Sequence, residues 1–63
     1  VTMTIATLGG LLGRRASDGP ATVGNERGYV RGVRREDGSG RSFIVDLCRE
    51  SDNTLASVLV RIA

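Results

Sequence analysis

The sequence predicts a small all-β domain, either a three- to four-stranded antiparallel meander or a partial barrel. Two observations carry this prediction. Apolar and polar residues alternate in several short runs, and residues typical of turns separate those runs. We expect residues 1–63 to form a single domain, because a chain of this length has room for only one core.

The first eight residues are expected to form the first strand, because Val1, Met3 and Ile5 alternate with more polar neighbours. The composition then changes over residues 9–26, which contain many glycines, one proline and few apolar side chains. This composition predicts a long, flexible, glycine-rich loop between the first two strands. Loops of that length without secondary structure are uncommon in compact domains. We therefore expect the loop to be either a binding arm or mobile in the free protein.

A β-hairpin is predicted over residues 27–50, because two strand-like runs flank the turn sequence Asp37-Gly38-Ser39-Gly40. A two-residue turn at Gly38 and Ser39 suits type II′ geometry, in which glycine comes first. This turn fixes the pairing of the two strands. It would form three opposite-charge pairs, each worth about 0.2–1 kcal/mol: Glu36 with Arg41, Arg31 with Asp46, and Arg27 with Glu50.

The same pairing leaves both faces of the hairpin half apolar. One face would carry Val30 and Leu47, and the rest of the sheet is expected to cover it. The other face would carry Val33, Ile44 and Tyr29, which we take as the candidate interface of a homo-oligomer.

The last element, residues 54–63, has two interpretations. One set of apolar residues has helical spacing: Leu55, Val58, Leu59 and Ile62. Another set alternates as in a strand: Ala56, Val58, Val60 and Ile62. The β-branched residues favour the strand, and a C-terminal helix is the alternative.

The residue types available exclude most catalytic schemes. The chain has no histidine, its nine basic residues are all arginine, and Cys48 is its single cysteine. Activation of a serine or cysteine by histidine or lysine is therefore not available within one chain, and no metal-ligand set is present. We expect a protein that is not an enzyme and that binds no cofactor, no metal and no small-molecule substrate.

No apolar run approaches the roughly 20 residues that span a bilayer, and the first residues lack the positive charge of a secretory signal. We therefore expect no membrane association. The expected location is the cytoplasm, or the virion if the protein is encoded by a phage.

The favoured functional hypothesis is a non-catalytic β module that associates with itself or docks on a larger protein assembly. Small phage structural, accessory and inhibitor proteins work in this way. The reason is physical: short chains usually need disulfides, a metal or a partner for stability, and the first two are excluded here.

The alternative is a small nucleic-acid-binding protein that uses arginine contacts to phosphates. Positive charge is concentrated in the predicted loop and the first hairpin strand. The candidate phosphate contacts are Arg14, Arg15, Arg31, Arg34, Arg35 and Arg41. The only aromatic rings, Tyr29 and Phe43, are expected on opposite faces, where they cannot form one surface for stacking bases.

Overall fold

In the computed structural model, which describes residues 1–63, five strands form one sheet that curls into a half-barrel. The strand order is β1-β5-β4-β3-β2, and every neighbouring pair is antiparallel except β1 and β5. The strands are β1 (Thr2–Met3), β2 (Ala21–Val23), β3 (Glu26–Arg35), β4 (Ser42–Arg49) and β5 (Leu55–Ile62), with one helix, α1 (Ile5–Leu12). The β-rich class is confirmed, whereas the predicted number of three to four strands is wrong.

The N-terminal strand is shorter than predicted, because the chain turns into α1 after two paired residues. Thr4 caps this helix: its hydroxyl oxygen accepts a hydrogen bond from the Thr7 backbone N–H at 3.1 Å. The helix places Leu8 and Leu11 against the open side of the curled sheet, where both are buried. The alternation of Val1, Met3 and Ile5 therefore does not mark a strand over the whole of residues 1–8.

The segment 9–26 is not the flexible loop that its composition predicts. It contains the end of α1, a short 3-10 turn (Ala16–Asp18) and β2. The Arg14 guanidinium organises the middle of this segment by donating hydrogen bonds to three carbonyl oxygens. Its partners are Asp18 at 3.1 Å, Gly19 at 3.2 Å and Pro20 at 2.9 Å. The loop prediction is wrong because this arginine and two buried β2 residues hold the chain in place.

A two-residue turn connects β2 to β3. Gly24 has a φ of 62°, and Asn25 after it has a negative φ, which is the pattern of a type II′ turn. That geometry was predicted for Gly38 and Ser39, where the structure has a longer loop instead. The Ser39 N–H donates to the Asp37 carboxylate at 2.9 Å, and the Glu36 N–H donates to the Ser42 carbonyl at 3.0 Å. Side-chain bonding within the loop thus replaces the tight turn.

The pairing of β3 with β4 changes along the hairpin. Tyr29 lies opposite Cys48 and Val30 opposite Leu47, as predicted. A β-bulge between Val30 and Gly32 then shifts the register by one residue. A single extra residue exchanges the faces of all the residues that follow it.

Two of the three predicted charge pairs are therefore wrong. Arg31 and Arg41 form no ion pair with a carboxylate, and Glu36 forms none with an arginine. The third pair, which involves β3 residues before the bulge, is confirmed, with Arg27 Nε 2.9 Å from Glu50 Oε2.

The core lies on the concave side of the sheet, under α1. Its centre consists of Val45, Leu47 and Val60, none of which is exposed, together with Val23 from β2. Val33 packs against this core, so it lies on the opposite side of the sheet from the one predicted for it. The bulge is the reason, because Val33 pairs with Val45 rather than with Ile44.

The C-terminal element is strand β5, so the helical alternative is wrong. Its buried and partly buried residues alternate as the strand pattern predicts: Ala56, Val58, Val60 and Ile62. The β-branched side chains suit this pleated position between β4 and β1. No helix of the structure is long and apolar enough to span a membrane.

Candidate interaction surface

The convex side of the sheet carries five apolar or weakly polar side chains in cross-strand contact. In one row Tyr29 lies beside Cys48, which lies beside Leu55. In a second row Ile44 lies beside Leu59. We call this set the outer face: Tyr29, Ile44, Cys48, Leu55 and Leu59. No other element of the chain covers it, because α1 lies on the concave side.

Exposure of the outer face is high for residues of this type. Leu55 is 71% exposed, Leu59 40% and Tyr29 37%, while Ile44 and Cys48 are half-buried between their neighbours. An isolated exposed leucine is common on protein surfaces, but adjacent apolar side chains on one face mark interaction sites more often.

One polar cluster separates the two apolar rows. The Asp46 carboxylate accepts a hydrogen bond from the Ser57 hydroxyl at 2.6 Å and another from Arg34 Nε at 3.2 Å. The bond from Ser57 and then that from Arg34 hold the pKa of Asp46 below its ordinary value of 3.8. The charge in the middle of the outer face therefore has partners within its own chain, and covering the face would not leave it unpaired.

Cys48 is the single cysteine and forms no disulfide. Its thiol lies 3.1 Å from the side-chain oxygen of Asn53, in the turn between β4 and β5. The thiol thus has a polar partner at the end of the outer face that borders the turn between β4 and β5.

The structure brings together only part of the predicted interface. Tyr29 and Ile44 lie on the outer face, and Val33 does not. Sequence reasoning missed Leu55 and Leu59. The signal that could have found them is the same alternation that identified β5, because its odd-numbered residues must face away from the core.

The six arginines proposed as phosphate contacts fall into two groups. Arg14 is engaged with the three carbonyls described above, and Arg34 is paired with Asp46. The remaining four are exposed and have no carboxylate partner: Arg15, Arg31, Arg35 and Arg41.

Arg61, which sequence reasoning missed, is also exposed and unpaired. It lies on β5 opposite Ser42, at the end of the sheet where the β3–β4 loop projects. Tyr29 and Phe43 lie on opposite sides of the sheet, as predicted, because Phe43 packs against the core.

The opposite end of the sheet has a shallow cleft lined by charged side chains, which are already paired. Arg49 contacts Glu26 at 2.8 Å, and Arg27 contacts Glu50 at 2.9 Å. Bonding to Arg49 lowers the pKa of Glu26, so the carboxylate is held in its ionised form. A carboxylate stabilised in this way is a weak general base. No group of three or more potential metal ligands occurs in the structure.

Comparison with protein-family models, with curated proteins and with solved structures finds no match to this chain.

Proposed function

We propose that this chain is a non-catalytic β module that works by association, either with further copies of itself or with a larger protein assembly. Phage structural, accessory and inhibitor proteins are the proposed class. The observation that carries the proposal is the outer face, where two apolar rows are exposed on a sheet whose other side is fully used by the core. Association would remove these rows from water.

The polar groups on the outer face support the same proposal. Arg34 and Ser57 each donate a hydrogen bond to Asp46, so a partner could cover the three residues without creating an unpaired buried charge. Buried polar groups that lack partners are costly, whereas a connected network is tolerated at an interface.

Native mass and the concentration dependence of thermal unfolding test association. We expect a native mass above that of one chain and a Tm that rises with protein concentration, because a partner stabilises only the folded state. A native mass of one chain, together with a constant Tm over two decades of concentration, would refute self-association. Docking on a different protein would then be tested by the outer-face variants below.

The outer face itself is tested by Leu55→Ser with Leu12→Ser as the matched control. Both leucines are strongly exposed, at 71% and 62%, but Leu12 lies on α1, on the other side of the sheet. Loss of one buried leucine at an interface costs about 2 kcal/mol, which corresponds to roughly a thirtyfold weaker Kd. We expect this weakening of the association for Leu55→Ser and not for Leu12→Ser. Equal affinities for the two variants would exclude the outer face.

A second candidate function is binding of nucleic-acid phosphates. One observation favours it: five exposed arginines have no carboxylate partner in the fold, so charge pairing does not account for them. Binding of a labelled oligonucleotide across a salt series is the test, since phosphate contacts lose affinity steeply as salt rises. No binding at about 50 mM salt would exclude this function.

A further inference from the structure

The register of β3 against β4 is weakly fixed beyond the bulge between Val30 and Gly32. A register is strongly specified where one face of a strand pair is apolar and the other polar. Here both sides of the hairpin carry apolar residues, since Val33 and Val45 face the core while Ile44 lies on the outer face. A shift by one residue therefore exchanges one partly apolar side for another.

Only one ladder of hydrogen bonds holds this part of β3. The pairing with β2 ends at Gly28, so no strand lies on the other side of β3 from Tyr29 to Arg35. A change of register beyond the bulge would therefore rearrange the strand pairing with β4 alone. β4 itself stays in place, because β5 pairs with it from Ser42 to Cys48.

A second register, without the bulge, is compatible with the same β4. We call the observed pairing the bulged register, in which Val33 lies opposite Val45. We call the other the straight register, in which the pairing of Val30 with Leu47 continues along the strand without an extra residue. Val33 then lies opposite Ile44, on the other side of the sheet.

Charged groups favour the straight register. In the bulged register Arg31, Glu36 and Arg41 form no ion pair. The straight register places Arg31 opposite Asp46, and it also places Glu36 opposite Arg41. Arg31 then replaces Arg34 as the partner of Asp46. The carboxylate keeps an arginine, and the hairpin gains one opposite-charge pair.

The loop between β3 and β4 can close in either register. In the bulged register the Ser39 N–H bonds to Asp37 within a longer loop, and Gly40 has a φ of 74°. The straight register needs a two-residue turn at Gly38 and Ser39. Glycine at the first of these positions can adopt the positive φ that a type II′ turn requires. The loop therefore does not select one register.

Packing favours the bulged register, because it brings Val33 against the core. The gain is limited, since Val33 is only partly buried, whereas Val45 and Val60 are completely buried. In the straight register Gly32 would lie on the core side opposite Val45 and leave space unfilled. The packing of one valine thus opposes one ion pair and the removal of a bulge, so the two registers lie close in free energy.

We propose that β3 beyond the bulge exchanges between the two registers, with the bulged register as the major state. The straight register is a minor state of about 1–10%, and the two interconvert within microseconds to milliseconds. The exchange alters the outer face, because the side chain opposite Ile44 is Arg34 in the bulged register and Val33 in the straight one. The chain thus has a charged and an apolar version of this surface. The exchange is a property of the free chain and does not depend on the proposed function.

NMR relaxation dispersion and chemical-exchange saturation transfer on the isotope-labelled full chain test the proposal. We expect conformational exchange at residues 33–35 and none at Tyr29, which keeps Cys48 as its partner in both registers. Deletion of Arg31 is the matched control, because it removes the extra residue and keeps the later residues in their observed pairing without a bulge. The exchange at residues 33–35 should be lost in that variant.

A second variant exchanges two neighbouring residues, Gly32→Val together with Val33→Gly, and so keeps the composition and the charge. A valine at position 32 reaches the core only in the straight register, where that position lies opposite Val45. We expect a nuclear Overhauser contact between residue 32 and Val45 in this variant, and between Val33 and Val45 in the unmodified chain. The minor-state chemical shifts of Arg34 and Arg35 in the unmodified chain should match those of the variant.

Absence of conformational exchange at residues 33–35 in the unmodified chain would overturn the proposal. Exchange confined to the loop, residues 36–41, would also overturn it, because that pattern reports motion of the loop alone. Exchange that persists after deletion of Arg31 has the same consequence. If the variant with exchanged residues does not fold, the comparison of the unmodified chain with the deletion decides the question.

Discussion

Arg49 and Glu26 form a bidentate ion pair between the end of β4 and the start of β3. Arg49 Nε lies 2.9 Å from one carboxylate oxygen and Nη2 lies 2.8 Å from the other. Arg49 Nη1 also donates to the Thr54 hydroxyl at 2.8 Å and to the Leu55 carbonyl at 3.3 Å. One side chain on β4 therefore ties the start of β3 to the start of β5.

This pair predicts a dependence of stability on pH. Its bond to Arg49 lowers the pKa of Glu26 in the folded state below the ordinary value of 4.5. The stabilisation is therefore complete above that value and is lost as the pH falls through the lower, folded-state pKa. Urea unfolding should show a free energy of unfolding that drops below about pH 4.5. Glu26→Gln should remove part of this drop and lower stability at pH 7.

Glu50→Gln is the control for that prediction, because Glu50 forms a single, more exposed contact with Arg27. At pH 7 we expect Glu50→Gln to lower the free energy of unfolding by less than Glu26→Gln does. Equal changes in the free energy of unfolding would mean that the bidentate geometry of the Glu26–Arg49 pair adds nothing to stability.

Gly28→Ala should destabilise the fold, and Gly32→Ala should not. A Cβ atom on Gly28 would overlap the Cys48 carbonyl oxygen of the adjacent strand, whereas one on Gly32 would meet nothing within 4 Å. Forcing atoms into such a contact typically costs 1–3 kcal/mol, so we expect about 2 kcal/mol or more for Gly28→Ala. Chemical denaturation would measure both. Equal stability of the two variants would contradict the close strand approach at Gly28.

Arg14→Gln should cost stability, and Arg15→Gln should be close to neutral. Arg14 donates three hydrogen bonds to backbone carbonyls, whereas Arg15 is exposed and unpaired. Loss of such bonds is expected to cost about 1–2 kcal/mol. Limited trypsin digestion offers a second measurement, in which the unmodified chain should resist cleavage at Arg14 and be cut first in the loop at Arg41. Rapid cleavage at Arg14 would show that segment 9–26 is mobile after all.

Val33→Ser should lower stability by the same amount at every protein concentration. Val33 packs against the core rather than on the outer face, so the loss is one of folding and not of association. We expect roughly 2 kcal/mol, mainly from the lost burial of an apolar side chain. Thermal unfolding at two concentrations measures it. A loss confined to low concentration would instead place Val33 at an interface.

The hairpin shows how far the sequence determines the fold. Alternation and turn residues correctly predict that β3 and β4 pair. The predicted Arg27–Glu50 ion pair, at the end of the hairpin away from its loop, is also formed. The bulge between Val30 and Gly32 could not be predicted, because nothing in a pattern of period two marks one extra residue. That single residue also explains the error in the interface, since it moves Val33 to the other side of the sheet.

Segment 9–26 could not be predicted for a different reason. Its structure depends on Arg14 reaching carbonyl oxygens several residues away and on Ala21 and Val23 entering a core built from distant strands. Composition reports local preference, and here tertiary contacts override it. Leu55 and Leu59 were accessible to prediction, because assigning β5 as a strand already implies which of its residues face outward.

The pairing of β1 with β5 joins the beginning of the described chain to its end. Thr2 has no sheet partner until Arg61 has been synthesised and β5 has joined β4. The β3–β4–β5 meander involves only close neighbours in sequence and can form first, whereas contacts of long sequence separation form slowly. Ribosomal synthesis therefore leaves β1 unpaired until β5 has emerged, and the pairing of β1 with β5 is expected to be a late event in folding.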